Sequence, residues 1–244
     1  MSIKIEKKVQ VDIQNSKAYK EYESWQKKEF KGGYDSGEYA VHDWLWGCYK
    51  DCYDGIIVDV GANDGVTQSH SLPFIEKGWR AVLIEPHPKM FEVIENIYKD
   101  IESVQIANYA VYNGNKTVLN LYSGHTEHLG HSTLVSPENQ GKVRIERMDN
   151  SQPHLVNADS LTNILKKCGL NEKIDILHID AEDFGLEVLK SLDFDIYEPV
   201  IISVDIHHDP MIGDPLAKPL LEFMKDKGYE HMVTYAQSLW KKND

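Results

Sequence analysis

The chain has 244 residues, and its 39 Asp and Glu against 26 Lys and Arg give a formal net charge of -13. An acidic surface repels a polyanionic backbone, which argues against nucleic acid as a substrate. No apolar run has the length of a membrane span and Met1-Ser2-Ile3-Lys4 does not open a signal peptide, so a cytoplasmic protein is expected. Cys48, Cys52 and Cys168 are expected as reduced thiols, the first two being small half-buried side chains rather than metal ligands.

Residues 1–37 read as an N-terminal appendage. Ile3, Ile5, Val9, Val11 and Ile13 alternate as in an extended arm, and Tyr19, Tyr22 and Trp25 gather on one face of a helix that Ser16 can cap. A second helix is predicted from Tyr39 to Cys48. The run Ile56-Ile57-Val58-Asp59-Val60 then has the β-branched character of a buried parallel strand, and Gly61 and Gly65 turn the chain after it. Backbone without a Cβ lets a ligand approach, and a helix beginning beyond Gly65 would aim its free N–H groups at the same spot.

A short helix through Phe74 and Ile75 follows. Then comes a strand, Ala81 to Ile84, ending on Glu85, where Pro86 and Pro88 forbid further ladder bonds. A helix carrying Phe91, Ile94 and Ile97 leads to a third strand, Val104 to Ala107. The resulting β-α-β-α-β order is half of a doubly wound sheet. Residues 112–158 differ in texture, with alternating segments at Thr117 to Tyr122 and Val143 to Met148 around a polar loop. They are expected to form a substrate-side insertion. Beyond them are predicted a helix from Leu161 to Cys168 capped by Asp159-Ser160, a strand from Ile174 to Ile179 ending on Asp180, and a helix from Leu186 to Leu192. The strand Val200 to Val204 and a helix from Leu216 to Lys227 follow, and the alternation from Tyr229 to Trp240 closes the chain as one long strand or two antiparallel ones.

Three strands therefore end on or beside an acid: Asp59, Glu85 and Asp180. In an open α/β sheet the carboxyl ends of the strands share one crevice, so these acids are expected to be neighbours. A glycine turn followed ~20 residues later by an acid is how a ribose-bearing cofactor is held. A dinucleotide site needs a third glycine, whereas carboxylates at Asp59 and Asp64 would repel a pyrophosphate and suit a cationic ligand such as S-adenosylmethionine.

Three blocks carry a family resemblance: Val58-Asp59-Val60-Gly61-Ala62-Asn63-Asp64-Gly65, Lys77-Gly78-Trp79-Arg80-Ala81-Val82-Leu83-Ile84-Glu85-Pro86, and His178-Ile179-Asp180-Ala181-Glu182 leading into Leu186-Glu187-Val188-Leu189. In order and spacing they resemble the FkbM-type methyltransferases, a class I S-adenosylmethionine-dependent family. The chain departs from the family's Asp-Val-Glu-Gly pattern, with Asp183 in the glycine position and Gly185 near the usual second acid.

The resemblance implies an α/β fold with a doubly wound, mostly parallel seven-stranded sheet of the Rossmann-like class I type, covering 38–244. It implies that Gly61 and Gly65 meet the methionine part of S-adenosylmethionine, that Asp59 and Asn63 serve its amine and carboxylate, and that Glu85, with Pro86 beside it, holds the ribose. Asn108 is a candidate for the adenine edge or, equally, a turn residue bonding its own backbone.

At the acceptor, methyl transfer needs positioning and a base, for which Asp180, Glu182 and His207 are the candidates. An alternative has Asp180 and Asp205 hold Mg²⁺ to acidify the acceptor hydroxyl; the metal-free route ranks slightly ahead. His125, His128 and His131 recur at every third position, but substrate contact by His131, Ser132 and Thr133 is preferred to a zinc site. The expected acceptor is a small sugar-like hydroxyl compound, and a homodimer is open. Two other readings stay open: a dinucleotide-dependent reductase or epimerase, and a cofactor-binding subunit without catalysis.

Overall fold

Ile56–Val60 form β1, all five side chains buried, because the strand lies in the middle of a sheet covered on both faces. The structure is a computed structural model that describes residues 54–123, 132–134, 153–205, 217–234 and 237–243. The predicted arm and helices before residue 54, the strand at Val143 to Met148, and His125, His128, His131, His207 and His208 lie outside these residues. After β1 come α1 (Leu72–Glu76), β2 (Arg80–Ile84), α2 (Pro88–Tyr98), β3 (Val104–Ala107), β4 (Ala110–Val111), β5 (Val118–Leu121) and β6 (His154–Asp159). Then follow α3 (Leu161–Lys167), β7 (Ile176–Ile179), a single 3-10 turn (Glu182–Phe184) running into α4 (Gly185–Lys190), α5 (Phe194–Tyr197), β8 (Ile201–Asp205), α6 (Lys218–Asp226), β9 (Tyr229–Thr234) and β10 (Gln237–Lys242).

Seven strands pair in the order β3-β2-β1-β7-β8-β10-β9. The first five run parallel, and β10 is antiparallel to both β8 and β9, so the closing alternation is a hairpin. This is the predicted doubly wound, mostly parallel sheet. Side chains alternate between its faces. Val58, Val82, Leu177 and Ile202 pack under α3, α4 and α6 through Leu165, Val188 and Met224; Ile57, Leu83, Ile176 and Leu239 pack under α1 and α2 through Phe74, Ile75, Ile94 and Tyr98.

A second sheet, β4-β6-β5, was not expected. Its strand β5 falls within the predicted Thr117 to Tyr122 segment, but β6 occupies the end of the stretch read as insertion. Val156 and Ala158 face inward while Leu155 is 75% exposed, so the apolar alternation that marks a half-buried strand is broken. Ser160 caps α3 as predicted, its hydroxyl accepting from the Asn163 N–H.

Candidate functional site

Where β1 ends, the Gly61 and Ala62 N–H groups both donate to the Ile84 carbonyl, at 2.9 and 3.1 Å, and the Asp180 N–H donates to the Val60 carbonyl at 2.8 Å. The tips of β1, β2 and β7 are thereby fixed to one another. Gly61, Asn63 and Gly65 all have positive φ, at 86°, 52° and 76°. Asn63 is one of the few residue types with a side chain that adopts this conformation readily.

The two glycines also answer to packing. A Cβ on Gly61 would stand 1.8 Å from the Asp180 carbonyl oxygen, and one on Gly65 would stand 2.7 Å from Cε2 of Tyr98. The direction a side chain would take is filled by the protein itself, so packing alone already requires glycine at both positions. A helix does not start directly beyond Gly65. The chain turns through Gln68, and the next helix, α1, begins only at Leu72. The N–H groups of Val66 and Thr67 are taken by Asp64, whose Oδ1 accepts both at 2.8 and 2.6 Å while Oδ2 accepts from the Thr67 hydroxyl at 2.6 Å. Asp64 is thus the internal acceptor of the turn.

The Tyr98 hydroxyl, fully buried, donates to the Gly65 carbonyl at 2.5 Å and ties the turn to α2. Tyr98→Phe leaves that carbonyl without its donor and is expected to lower stability by about 1–2 kcal/mol, read by urea denaturation.

Three buried carboxylates meet at this turn. Asp59 accepts from the Ser71 hydroxyl at 2.6 Å, and burial pushes its carboxyl up to about 6 against that hydrogen bond. Glu85, just past β2, bridges two loops: Oε2 accepts from the Asn63 N–H at 2.9 Å and Oε1 from the His87 N–H at 2.7 Å. Burial pushes Glu85 up to about 8. The two backbone bonds oppose the shift, and the charges of Asp59 and Asp64 add to it. Because Glu85 accepts from Asn63 and the Ile84 carbonyl from Gly61 and Ala62, the acids predicted at the ends of β1 and β2 flank one turn.

Asn108 takes neither of its two expected roles through its amide nitrogen, which donates to the Glu85 and Pro86 carbonyls at 2.8 and 3.2 Å. His87 caps α2, its Nδ1 accepting from the Lys89 N–H, and Pro88 stands in the first turn, where no donor is lost. Burial holds the His87 imidazole down to about 4, and its ring meets that of His154 with centroids 4.9 Å apart.

Beside the β1 tip, Asp180 is exposed after β7, while Glu182 and Asp205 are half-buried. Glu182 has φ 54°, a strained conformation of the kind that concentrates at functional sites. The departure at Gly185 has a packing reason: a Cβ there would lie 2.6 Å from Cγ1 of Val204, so glycine lets α4 start directly against β8. Thr133 is buried and exchanges two backbone hydrogen bonds of 2.9 Å with Tyr122, extending β5, and Ser132 is half-buried beside it. Among the described residues no group of three or more His, Cys, Asp or Glu is placed to hold a metal ion, and no helix is long and apolar enough to cross a membrane.

A family model for the methyltransferase FkbM domain matches residues 59–231, well over half of the chain. The chain belongs to this family. This FkbM-domain chain is similar to solved structures at low identity. Methyltransferase FkbM from Methylobacillus flagellatus KT is 14% identical with a TM-score of 0.46, the match covering 96% of this chain and 62% of that one. The methyltransferase PaMTH1 of Podospora anserina, solved with SAH bound, is 14% identical with a TM-score of 0.49, covering 94% and 89%. A methyltransferase from Geobacter sulfurreducens is 12% identical with a TM-score of 0.44, covering 91% and 87%. The chain thus spans less than two thirds of the Methylobacillus protein's length. No curated protein matches it in sequence.

Sequence reasoning about this FkbM domain gave no part to the buried polar side chains of His70, Ser71, His178, Ser203 and Gln237. A signal was present for His178 and Ser203: each interrupts an apolar strand at a position that alternation assigns to a covered face, and both are buried.

Proposed function

We propose that this methyltransferase moves the methyl group of S-adenosylmethionine to a hydroxyl of a small sugar-like acceptor. The observation that carries the cofactor assignment is Glu85. An ionised carboxylate has about four acceptor positions, and two are taken by the Asn63 and His87 N–H groups. The remaining two suit a pair of ribose hydroxyls, and a cationic ligand beside Asp59, Asp64 and Glu85 relieves the repulsion among them. With its NH₂ committed to the Glu85–Pro86 backbone, Asn108 would meet an adenine amino group through its side-chain oxygen. Asp59, Gly61, Asn63 and Gly65 line the methionine side of this reading and Pro86 the ribose side.

In the transfer, the acceptor oxygen attacks the methyl carbon, the S–C bond breaks, and its electron pair goes to sulfur, leaving a neutral thioether. The acceptor's proton passes to Asp180, Glu182 or His207; in the metal-assisted variant Asp180 and Asp205 would hold Mg²⁺. Residues 112–158, with His131, Ser132 and Thr133, form the acceptor side of a catalytic domain at 38–244. A dinucleotide site is not favoured, because the turn has no third glycine and Asp64 takes the N–H groups a pyrophosphate would need.

Calorimetry with S-adenosylmethionine and S-adenosylhomocysteine is expected to show one site per chain. Failure of both to bind would sink the assignment. Cofactor turnover over a panel of free and nucleotide-linked sugars, with and without a chelator, then separates the metal-free route from the metal-assisted one.

A further inference from the structure

A row of polar side chains runs through the sheet one layer below the proposed site. Asp59 on β1 is the lateral partner of His178 on β7, and His178 is that of Ser203 on β8. These three stand two residues before Gly61, Asp180 and Asp205, hence on the same face of the sheet and directly beneath them. Asp205 is in turn the lateral partner of Gln237 on β10. Asp59, His178, Ser203 and Gln237 are all buried, on a face otherwise built from Ile57, Leu83, Ile176, Ile201 and Leu239. Polar groups on such a face cost about 1–3 kcal/mol each unless they are paired.

The pairing comes from the segment that follows the Asn63–Gly65 turn. Two consecutive residues of it reach down into the sheet at different strands. Ser71 donates to Asp59 on β1 at 2.6 Å. His70 lays its ring against that of His178, centroids 4.2 Å apart, and its Nε2 meets the Gln237 Nε2 at 3.2 Å. The Ser203 hydroxyl donates to the Gln237 Oε1 at 2.5 Å, which orients the amide so that its NH₂ faces His70. An amide nitrogen only donates, so His70 accepts through Nε2 and the neutral ring carries its proton on Nδ1. Two adjacent residues of the segment are therefore tied to different strands, Ser71 to β1 and His70, through the Gln237 side chain, to β10, three strands further along the sheet.

We propose that His70, acting through Gln237 and Ser203, is a positioning residue that couples the cofactor turn to the strand ends carrying Asp205, so that order on the cofactor side and order on the acceptor side reinforce one another. This rests on the S-adenosylmethionine reading above. Its distinctive consequence is that Gln237, on the far side of the sheet from Glu85, helps to set cofactor affinity. The stretch 63–71 is not helical over its length, so the two side-chain anchors supply order that a helix would otherwise provide.

The test is a double-mutant cycle read by calorimetry with S-adenosylhomocysteine, using His70→Ala, Gln237→Leu and the pair together. Each single change is expected to weaken binding about fivefold to tenfold, with the double variant no weaker than the worse single one. His70→Gln, whose side-chain oxygen reaches the place of Nε2, is expected to recover most of the affinity. Hydrogen exchange on the unaltered protein provides a readout that does not depend on the variants folding: S-adenosylhomocysteine is expected to slow exchange at the amides of β10. A purely structural role would lower thermal stability while leaving the dissociation constant and that exchange unchanged, and this result would overturn the proposal. Unaltered protein that binds no S-adenosylhomocysteine would instead overturn the cofactor reading, and the coupling with it.

Discussion

Gly61→Ala is expected to cost above about 3 kcal/mol of stability and to displace Asp180. Two costs coincide. A residue with a Cβ held at φ 86° is strained by roughly 1–2 kcal/mol. The added carbon would also lie 1.8 Å from the Asp180 carbonyl oxygen, which is backbone and cannot swing aside as a side chain can. That carbonyl belongs to a residue whose own N–H is bonded to Val60, so relief requires β7 to move from β1 by on the order of 1 Å or more. Gly169 supplies the control. Its φ is 77° but nothing lies within 4 Å of the position a Cβ would take, so Gly169→Ala should show the backbone strain alone, about 1–2 kcal/mol. Urea denaturation of both variants separates the two costs; equal losses would show that the close approach to Asp180 is not what requires glycine at 61.

Glu85→Gln is expected to weaken S-adenosylhomocysteine binding about tenfold to hundredfold and to remove a pH dependence that the unaltered protein shows. The amide can accept only one of the two backbone N–H groups and turns its NH₂ toward the other. The pH dependence follows from the carboxyl's rise from 4.5 to about 8 on burial. Between those values the unfolded chain has released the proton and the folded chain keeps it, so stability falls as pH rises through this window, by on the order of 5 kcal/mol, and levels off above it. Asp59, raised from 3.8 to about 6, adds a smaller fall of the same sign over a lower range. Cofactor binding runs the opposite way. Ribose hydroxyls donate best to the ionised carboxylate, so affinity should rise with pH up to about 8 and proton release should accompany binding below that. Denaturation and calorimetry from pH 5 to 9 read both slopes, and a binding isotherm indifferent to pH would remove Glu85 from the ribose contact.

The parallel sheet was legible because its strands are short apolar runs rich in Ile and Val that end on recognisable breaks: Gly61 after β1, Pro86 and Pro88 after β2, and Asp180 after β7. The strand β6 was not, since exposed Leu155 conceals its alternation, and α5 holds only four residues, too few to show a period. At the site, the residue types and their order along the chain could be read, which placed Asp59 and Glu85 beside one turn correctly. What each neighbouring group does there could not. Asp64 also accepts the Val66 and Thr67 N–H groups, and Gly61 and Gly65 are also required by the close approach of Asp180 and Tyr98, neither of which local sequence shows.

The sequence by itself determined which strands are buried on both sides, where each one stops, and that acids collect at those stops, because burial and chain reversal are written in local residue chemistry. The tertiary structure alone decided which side chains those stops bring together: Gly61 against Asp180, Glu85 between the Asn63 and His87 amides, and His70 over His178 and Gln237. Those pairings depend on the lateral order and register of strands distant in the chain, and no local run of residues carries that information.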